Sequence, residues 1–485
     1  MIMARHYLAV DLGASSGRTI VGTLTNGQLT LKEMNRFWNG PTEINGTLYW
    51  DFVYLFRNIQ EGIARAEKEF GGSLVSMGVD SWGVDFGLID EQGKLLGNLV
   101  NYRDSRTDGL PEKVIAAVGK ETVFNQTGIQ FMQINTLYHL YALAQAGDTQ
   151  YLQADRLLFV PDLLNYWLTG KTATNRTFAS TSQIYNPVTK DWAFDLLEKL
   201  NIRTDFFTPF ADPGTVLGDF NGLPVVNVGS HDTASAFASV PVIEGEHCAF
   251  LSSGTWSLLG TELSAPVING DSLAANFTNE VGVCDTIRFL KNLSGLWIIQ
   301  ELRRIWAAQG FDYSWKDMDA LAEAAEPLRF FINPADDVFV APGDMPCRIQ
   351  DYCERTGQTR PQDHGEIIRT AYEGLALLYA DTYETLERLI GSSLDVLRIV
   401  GGGCKNTALD QFAANSTGRK VITGPIEATA IGNIIIQMLA MGDIASLAEG
   451  REIIRNSFAH EIKTFEPQDA DCWQSALRKW RKICR

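Results

Sequence analysis

The 485-residue sequence has no apolar run of the roughly 20 residues that a membrane-spanning helix needs. Its start, MIMARHYLAVDLG, lacks the apolar segment and small-residue cleavage site of a secretory leader. Together these absences predict a cytoplasmic chain without a membrane partner. No lysine- and arginine-rich stripe occurs, and the net charge is −17. Nucleic acid is thereby disfavoured, because a phosphate backbone demands a basic surface. A phosphorylated small molecule is not excluded, since screening over roughly 8 Å leaves the groups beside the ligand in control. The seven cysteines, Cys248, Cys284, Cys347, Cys353, Cys404, Cys472 and Cys484, are odd in number and scattered, with no C-x-x-C. Buried reduced thiols are predicted, not a disulfide or zinc framework. Only six histidines are present, and both H-E-x-x-H and G-x-S-x-G are missing, which weighs against zinc enzymes and hydrolases. TGKT (169–172) is no P-loop, because Asn165 stands where the upstream glycine belongs. GGGCKN (401–406) is no dinucleotide fingerprint, because Asn406 holds the place of the third glycine.

What is present is an ordinary globular composition in a chain too long for one hydrophobic core, which predicts two lobes. YLAVDLG (7–13), RTIVGTL (18–24) and LTLKEMNRF read as a β-meander, and 74–90 is β-rich. Helices are predicted at 135–147 and 162–170, each ending in a glycine cap, at 366–391 with one apolar face, and at 428–442, apolar nearly all round. CAFLSSGTWSLLGTEL (248–263) repeats, about 240 residues on, the strand, small-residue turn and strand of AVDLGASSGRTIVG. This internal duplication, with proline and glycine interrupting the pattern at 239–247, divides the chain into lobes 1–242 and 243–485, with the packing of 450–485 left open.

Each half thus carries a hairpin turn, Gly13 to Arg18 and Ser252 to Thr255, that can present amides and hydroxyls to phosphate oxygens. Asp11, at a strand end beside the first turn, suits a hydrated magnesium ion; otherwise it braces the turn. GGGCKN allows close backbone approach to a flat ligand such as adenosine, or is a plain strand-to-helix turn. VGSHDTASAF (228–237) places Asp232 between a strand and a short helix of small residues. Its carboxylate is either an N-cap, a task Ser230 also suits, or a chemical group.

In order along the chain, DLGASSGR, DSWGVDF, YRDSRT, PDLLNYWLTGK, SHDTASA, LSSGTWSL, KNLSGLW, VGGGCKN and GPIEATAIGN resemble the FGGY carbohydrate kinases. The resemblance implies an α/β, duplicated actin-like or hexokinase-type (ribonuclease H-like) two-lobed fold with a central cleft. It further implies ATP and Mg2+ as cofactors, a ketose as partner, and transfer of the γ-phosphate of ATP to the 1-hydroxyl of L-rhamnulose. A kinase for another ketose such as L-fuculose or L-xylulose, or an actin-like ATPase, is the alternative. Asp232 would be the catalytic base, with His231, Thr233, Gly83 and Asn292 on the sugar and Asp104 and Arg106 as further sugar contacts. Ala14, Ser15, Ser16, Gly17, Arg18, Thr255, Gln300 and Gly402 would contact nucleotide, and Asp11 the metal. Asn292 and Gln300 have plainer readings as a helix cap and an exposed helix residue, and Gly83 as a strand bulge. Tyr102 departs from the family's W-x-D-x-R pattern, which bears on sugar choice, and Leu293-Ser294 fall at a variable spot. No oligomeric state is assigned.

Overall fold

The computed structural model describes residues 4–484. The reading of the extreme N-terminus as leaderless falls in part on residues 1–3, outside the described residues. The expected β-meander forms as β1 (Arg5–Leu12), β2 (Ser16–Thr25) and β3 (Gln28–Trp38). With β4 (Leu74–Ser81), β5 (Val216–Phe220) and β6 (Leu223–Val226) they make a six-stranded sheet in the order β5-β6-β4-β1-β2-β3. β1 runs antiparallel to β2 but parallel to β4, and β4 parallel to β6. A parallel neighbour requires a crossover. Helix Phe52–Phe70 provides it between β3 and β4, buries Phe52, Leu55, Ile59, Ile63 and Ala66, and is capped by Asp51. The sequence reading assigns no element to this segment.

β7 (Cys248–Ser253), β8 (Trp256–Leu263), β9 (Ile287–Ser294), β10 (Val396–Val400), β11 (Lys420–Thr423) and β12 (Lys463–Phe465) follow the order β9-β8-β7-β10-β11-β12. β7 is antiparallel to β8 and parallel to β10, and β10 is parallel to β11. A seventh strand, Thr278–Val281, lies at the edge beside β9, and the order of the other six repeats that of the first sheet, so the duplication read from the two hairpins extends through the topology.

The chain forms two compact units. The first comprises Met1–Pro241, Glu262–Phe289 and Ala428–Ala459, and the second Val242–Thr261, Leu290–Glu427 and His460–Arg485. The first break falls at Pro241, and two later segments return to the first unit. Residues after 450 are shared out: Ile453, Ile454 and Phe458 pack with Tyr7, Ala9 and Ile20, whereas Trp480 donates to the Ile332 carbonyl at 2.7 Å in the second unit.

Helix Ala428–Ala440 is buried as expected. Its polar exceptions, Asn433 and Gln437, lie one turn apart and are satisfied against the first sheet. Gln437 Nε2 donates to the Leu8 carbonyl, Ser76 Oγ donates to Gln437 Oε1, and Asn433 Nδ2 donates to Asp80. Gly432 faces helix Asp232–Ala238, and a Cβ there would sit 1.8 Å from the Ser235 carbonyl oxygen. Gly432→Ala is therefore expected to cost about 1–3 kcal/mol through overpacking, read by urea unfolding.

Helix His364–Ile390 departs from the single apolar face expected: Thr370, Glu373, Asp381 and Thr382 are buried as well. Tertiary packing encloses it on several sides. The seven cysteines are free, but Cys284 and Cys472 are exposed and Cys347 is half-buried, so burial holds for four of them. Among the described residues no helix is long and apolar enough to cross a membrane.

Candidate active site

The ends of β1 and β4 bring carboxylates together. Asp11 pairs in register with Arg18 on one side and Asp80 on the other. Arg18 donates to Asp11 Oδ2 from Nε at 3.0 Å and from Nη2 at 2.7 Å. Asp80 is fully buried; Oδ2 accepts from Asn433 Nδ2 at 2.6 Å and Oδ1 has no hydrogen-bond partner. Burial, with Asp11 and Asp232 adding like charge, pushes Asp80 well above the usual carboxylate range. The turn beside Asp11 closes by a bond from Gly13 N to the Ser16 carbonyl, with Ala14 and Ser16 half-buried and Ser15 exposed. Gly17 has a packing reason of its own, since a Cβ there would meet the Phe37 ring at 2.3 Å.

Asp232 opens helix Asp232–Ala238 as its first residue, and the capping position belongs to His231, whose side chain makes no cap bond. Neither sequence-based capping reading holds: Ser230 Oγ accepts instead from Asn175 Nδ2 at 2.9 Å. Asp232 Oδ1 accepts from Thr233 Oγ1 at 3.1 Å and lies 3.4 Å from His231 Nε2. Burial and the charge of Asp11 raise Asp232 above an ordinary aspartate, against the lowering pull of His231 and Thr233. Its side chain remains 30% exposed.

The strand end of β4 continues into Trp82, Gly83, Val84 and Asp85. A Cβ on Gly83 would come within 3.2 Å of both His231 Nε2 and Thr181 Oγ1, so close approach to the His231 ring, not a strand bulge, explains the glycine. Val84 sits at φ +69°, costly for a β-branched residue, and is clamped by Thr181 Oγ1 at its N–H and Thr136 Oγ1 at its carbonyl. Strain held in place from both sides is a mark of functional sites. The indoles of Trp50 and Trp82 both donate to Asp85 Oδ2, at 2.6 and 2.8 Å.

Burial pushes Asp85 up to about 7, although the two indole bonds and Arg106 oppose it. Between its unfolded pKa of about 3.9 and that value the folded chain holds a proton the unfolded chain has released. Stability therefore falls as pH rises through this window and levels off above it. Asp85→Asn keeps an oxygen for the indoles and is expected to remove this slope, as measured by denaturant unfolding from pH 5 to 8.

Asp104 and Arg106 lie at the next loop. Both oxygens of Asp104 accept from backbone N–H groups, of Arg106 at 3.0 Å and Leu48 at 2.8 Å. Arg106 Nε donates to Nδ1 of His139, which burial and the neighbouring guanidinium hold well below the usual histidine range.

In the second unit the β7–β8 turn brings Thr255 Oγ1 within 3.4 Å of Gln300 Oε1. Gln300 lies on helix Trp297–Ala308, whose cap position is Leu296, so Asn292, half-buried within β9, does not cap it. Gly401, at φ +90°, and Gly403 pack against Ser253, whereas Gly402 faces open space.

Asp80 and Asp85 lie in DSWGVDF but do not stand out there as site residues, and Glu280 and Arg288 lie outside every motif. Arg288 is fully buried, 3.1 Å from Glu280, and both reach His231 Nδ1, at 3.2 and 3.3 Å. Burial would raise Glu280, but Arg288 and His231 outweigh it and hold the carboxylate below its ordinary value. Their polar character in a strand gave a signal, but their partner lies about 50 residues away in sequence. Among the described residues no three or more His, Cys, Asp or Glu side chains are arranged to hold a metal ion. Asp11 beside a turn of exposed and half-buried residues fits Mg2+, which keeps several waters and binds through one or two carboxylates plus substrate phosphates.

Residues 6–247 match the N-terminal domain and residues 249–441 the C-terminal domain of the FGGY family of carbohydrate kinases. The chain is 41% identical to rhamnulokinase of Bacteroides thetaiotaomicron over 493 residues, covering 100% of each, and 39% identical to rhamnulokinase of Bacillus subtilis, covering 96% of each. In fold it is similar to gluconate kinase from Lactobacillus acidophilus (TM-score 0.81, 15% identity, 99% and 98% covered). Glycerol kinase of Plasmodium falciparum with ADP is comparably similar (TM-score 0.80, 17% identity, 99% and 97% covered).

Proposed function

The chain belongs to the FGGY family of carbohydrate kinases, and from that membership we propose that it transfers the γ-phosphate of ATP to the 1-hydroxyl of L-rhamnulose, giving L-rhamnulose 1-phosphate and ADP. The substrate follows the full-length likeness to rhamnulokinases. The observation that carries the chemistry is the partly exposed, hydrogen-bonded carboxylate of Asp232, flanked by His231 and Thr233.

Phosphoryl transfer through a loose transition state asks the protein for position and charge stabilisation more than covalent work. Asp232 orients the hydroxyl and accepts its proton as the new O–P bond forms. His231, Thr233, Gly83 and Asn292 contact the ketose, with Asp104 and Arg106 as further sugar contacts from the loop beside Asp85. Ala14, Ser15, Ser16, Gly17 and Arg18 meet phosphate; Thr255, Gln300 and Gly402 meet the rest of the nucleotide. Asp11 holds Mg2+, which when bound neutralises charge on the nucleotide phosphates. In this reading the enzyme works in the cytoplasm, in L-rhamnose catabolism.

A panel of L-rhamnulose, L-fuculose and L-xylulose with ATP and Mg2+, scored by ADP release, tests the reading. L-rhamnulose is expected to give the highest kcat/KM. ADP release that no ketose stimulates would replace the kinase with an actin-like ATPase.

A further inference from the structure

The imidazole of His231 has two rivals for one nitrogen. Nδ1 lies 3.2 Å from Arg288 Nη2 and 3.3 Å from Glu280 Oε2. A guanidinium only donates and a carboxylate only accepts when ionised, so the two demand opposite protonation of Nδ1. Geometry separates them. Arg288 meets Nδ1 as a hydrogen bond, whereas Glu280 Oε2, 3.3 Å from Nδ1 and 3.1 Å from Arg288 Nη2, is not aligned to accept a hydrogen bond from the ring and pairs with the guanidinium as a charge. Arg288 is also anchored, since its Nε and Nη2 both donate to the Val281 carbonyl, at 3.3 and 3.2 Å.

We propose that Arg288, neutralised by Glu280, fixes the tautomer of His231 so that Nε2 carries the proton and directs it at Asp232. Both are positioning residues: they act through His231. Nε2 lies 3.4 Å from Asp232 Oδ1, the oxygen that also accepts from Thr233 Oγ1. A distance of this kind tightens when substrate binds. Both neighbours fall on Oδ1, so Oδ2 is the oxygen that receives the proton of the ketose hydroxyl as the O–P bond to that hydroxyl forms and the bond to ADP breaks. The Phe178 edge, 6.4 Å between centroids, and Gly83 also border the ring, and neither carries a charge to disturb the arrangement. Glu280 keeps the buried guanidinium from standing as an uncompensated charge.

This assignment rests on the kinase reading for its consequence but not for its test. Nitrogen-15 spectra of histidine-labelled protein, with the His231 signal assigned by its loss in His231→Asn, are expected to show the Nε2–H tautomer with and without L-rhamnulose. An Nδ1–H tautomer in the unmodified chain would overturn the proposal. Glu280→Gln with Arg288→Met removes both charges together and is expected to shift the tautomer and lower kcat about 10- to 100-fold, with KM for ATP unchanged. A folded double variant with unchanged kcat would also overturn it. If that variant fails to fold, Arg288→Lys, which keeps a donor, serves instead: retained Nε2–H supports the proposal and Nδ1–H contradicts it. A chain with Nε2–H that phosphorylates no ketose would sink the kinase reading alone.

Discussion

Asp232→Asn is expected to fold, to bind ATP, and to lose turnover by about 10²–10⁴-fold, the contribution of a well-placed general base. Asparagine keeps an oxygen for Thr233 Oγ1, so the start of helix Asp232–Ala238 survives. The helix gives up a favourable charge in its first turn, about 0.3–1 kcal/mol, and is relieved of the repulsion from Asp11. Thermal unfolding should therefore move little while the coupled ADP assay collapses. What the variant cannot do is take the hydroxyl proton. A nearly unchanged rate would remove Asp232 from the chemistry.

Asp11→Ala is expected to fail differently. The metal's stabilisation of phosphoryl-transfer charge is worth several kcal/mol, so turnover should fall on the order of 10³-fold. Unlike Asp232→Asn, the residual activity should need more Mg2+, because a ligand charge has gone. The variant also strips Arg18 of the carboxylate it grips from two nitrogens and relieves part of the repulsion on Asp80. A magnesium titration at saturating ATP and ketose separates the two variants. An unchanged half-saturating Mg2+ concentration would take Asp11 out of the metal site.

The frame of these expectations was legible because it rests on local signals. Alternating strands and glycine turns announced both hairpins, and their repetition announced the duplication that the two sheets carry further in their shared strand order, the edge strand Thr278–Val281 apart. Glycines 147, 170 and 391 ended their helices in the left-handed conformation, as caps of that kind do. Long-range pairing was not legible. Helix Ala428–Ala440 reads as part of the second half, yet Asn433 bonds Asp80 and Gln437 bonds Leu8, each more than 350 residues away, and these contacts decide which unit owns the helix. The site divides along the same line. Asp232 and the hairpin turns stood out in short motifs. Glu280 and Arg288 become meaningful only when folding sets them behind His231, and the two backbone amides that bind Asp104, one on each oxygen, come from residues its short motif could not reveal. Gly17 and Gly83 were singled out for ligands, and both also have a packing reason: the Phe37 ring leaves no room for a Cβ at Gly17, and the His231 ring lies tight against Gly83.

The most direct test of the central claim is phosphorus NMR of the product formed from L-rhamnulose, ATP and Mg2+. The account requires a phosphate monoester whose phosphorus couples to the two protons on carbon 1, appearing in step with ADP. Inorganic phosphate in its place, or a monoester on any other carbon, would contradict it.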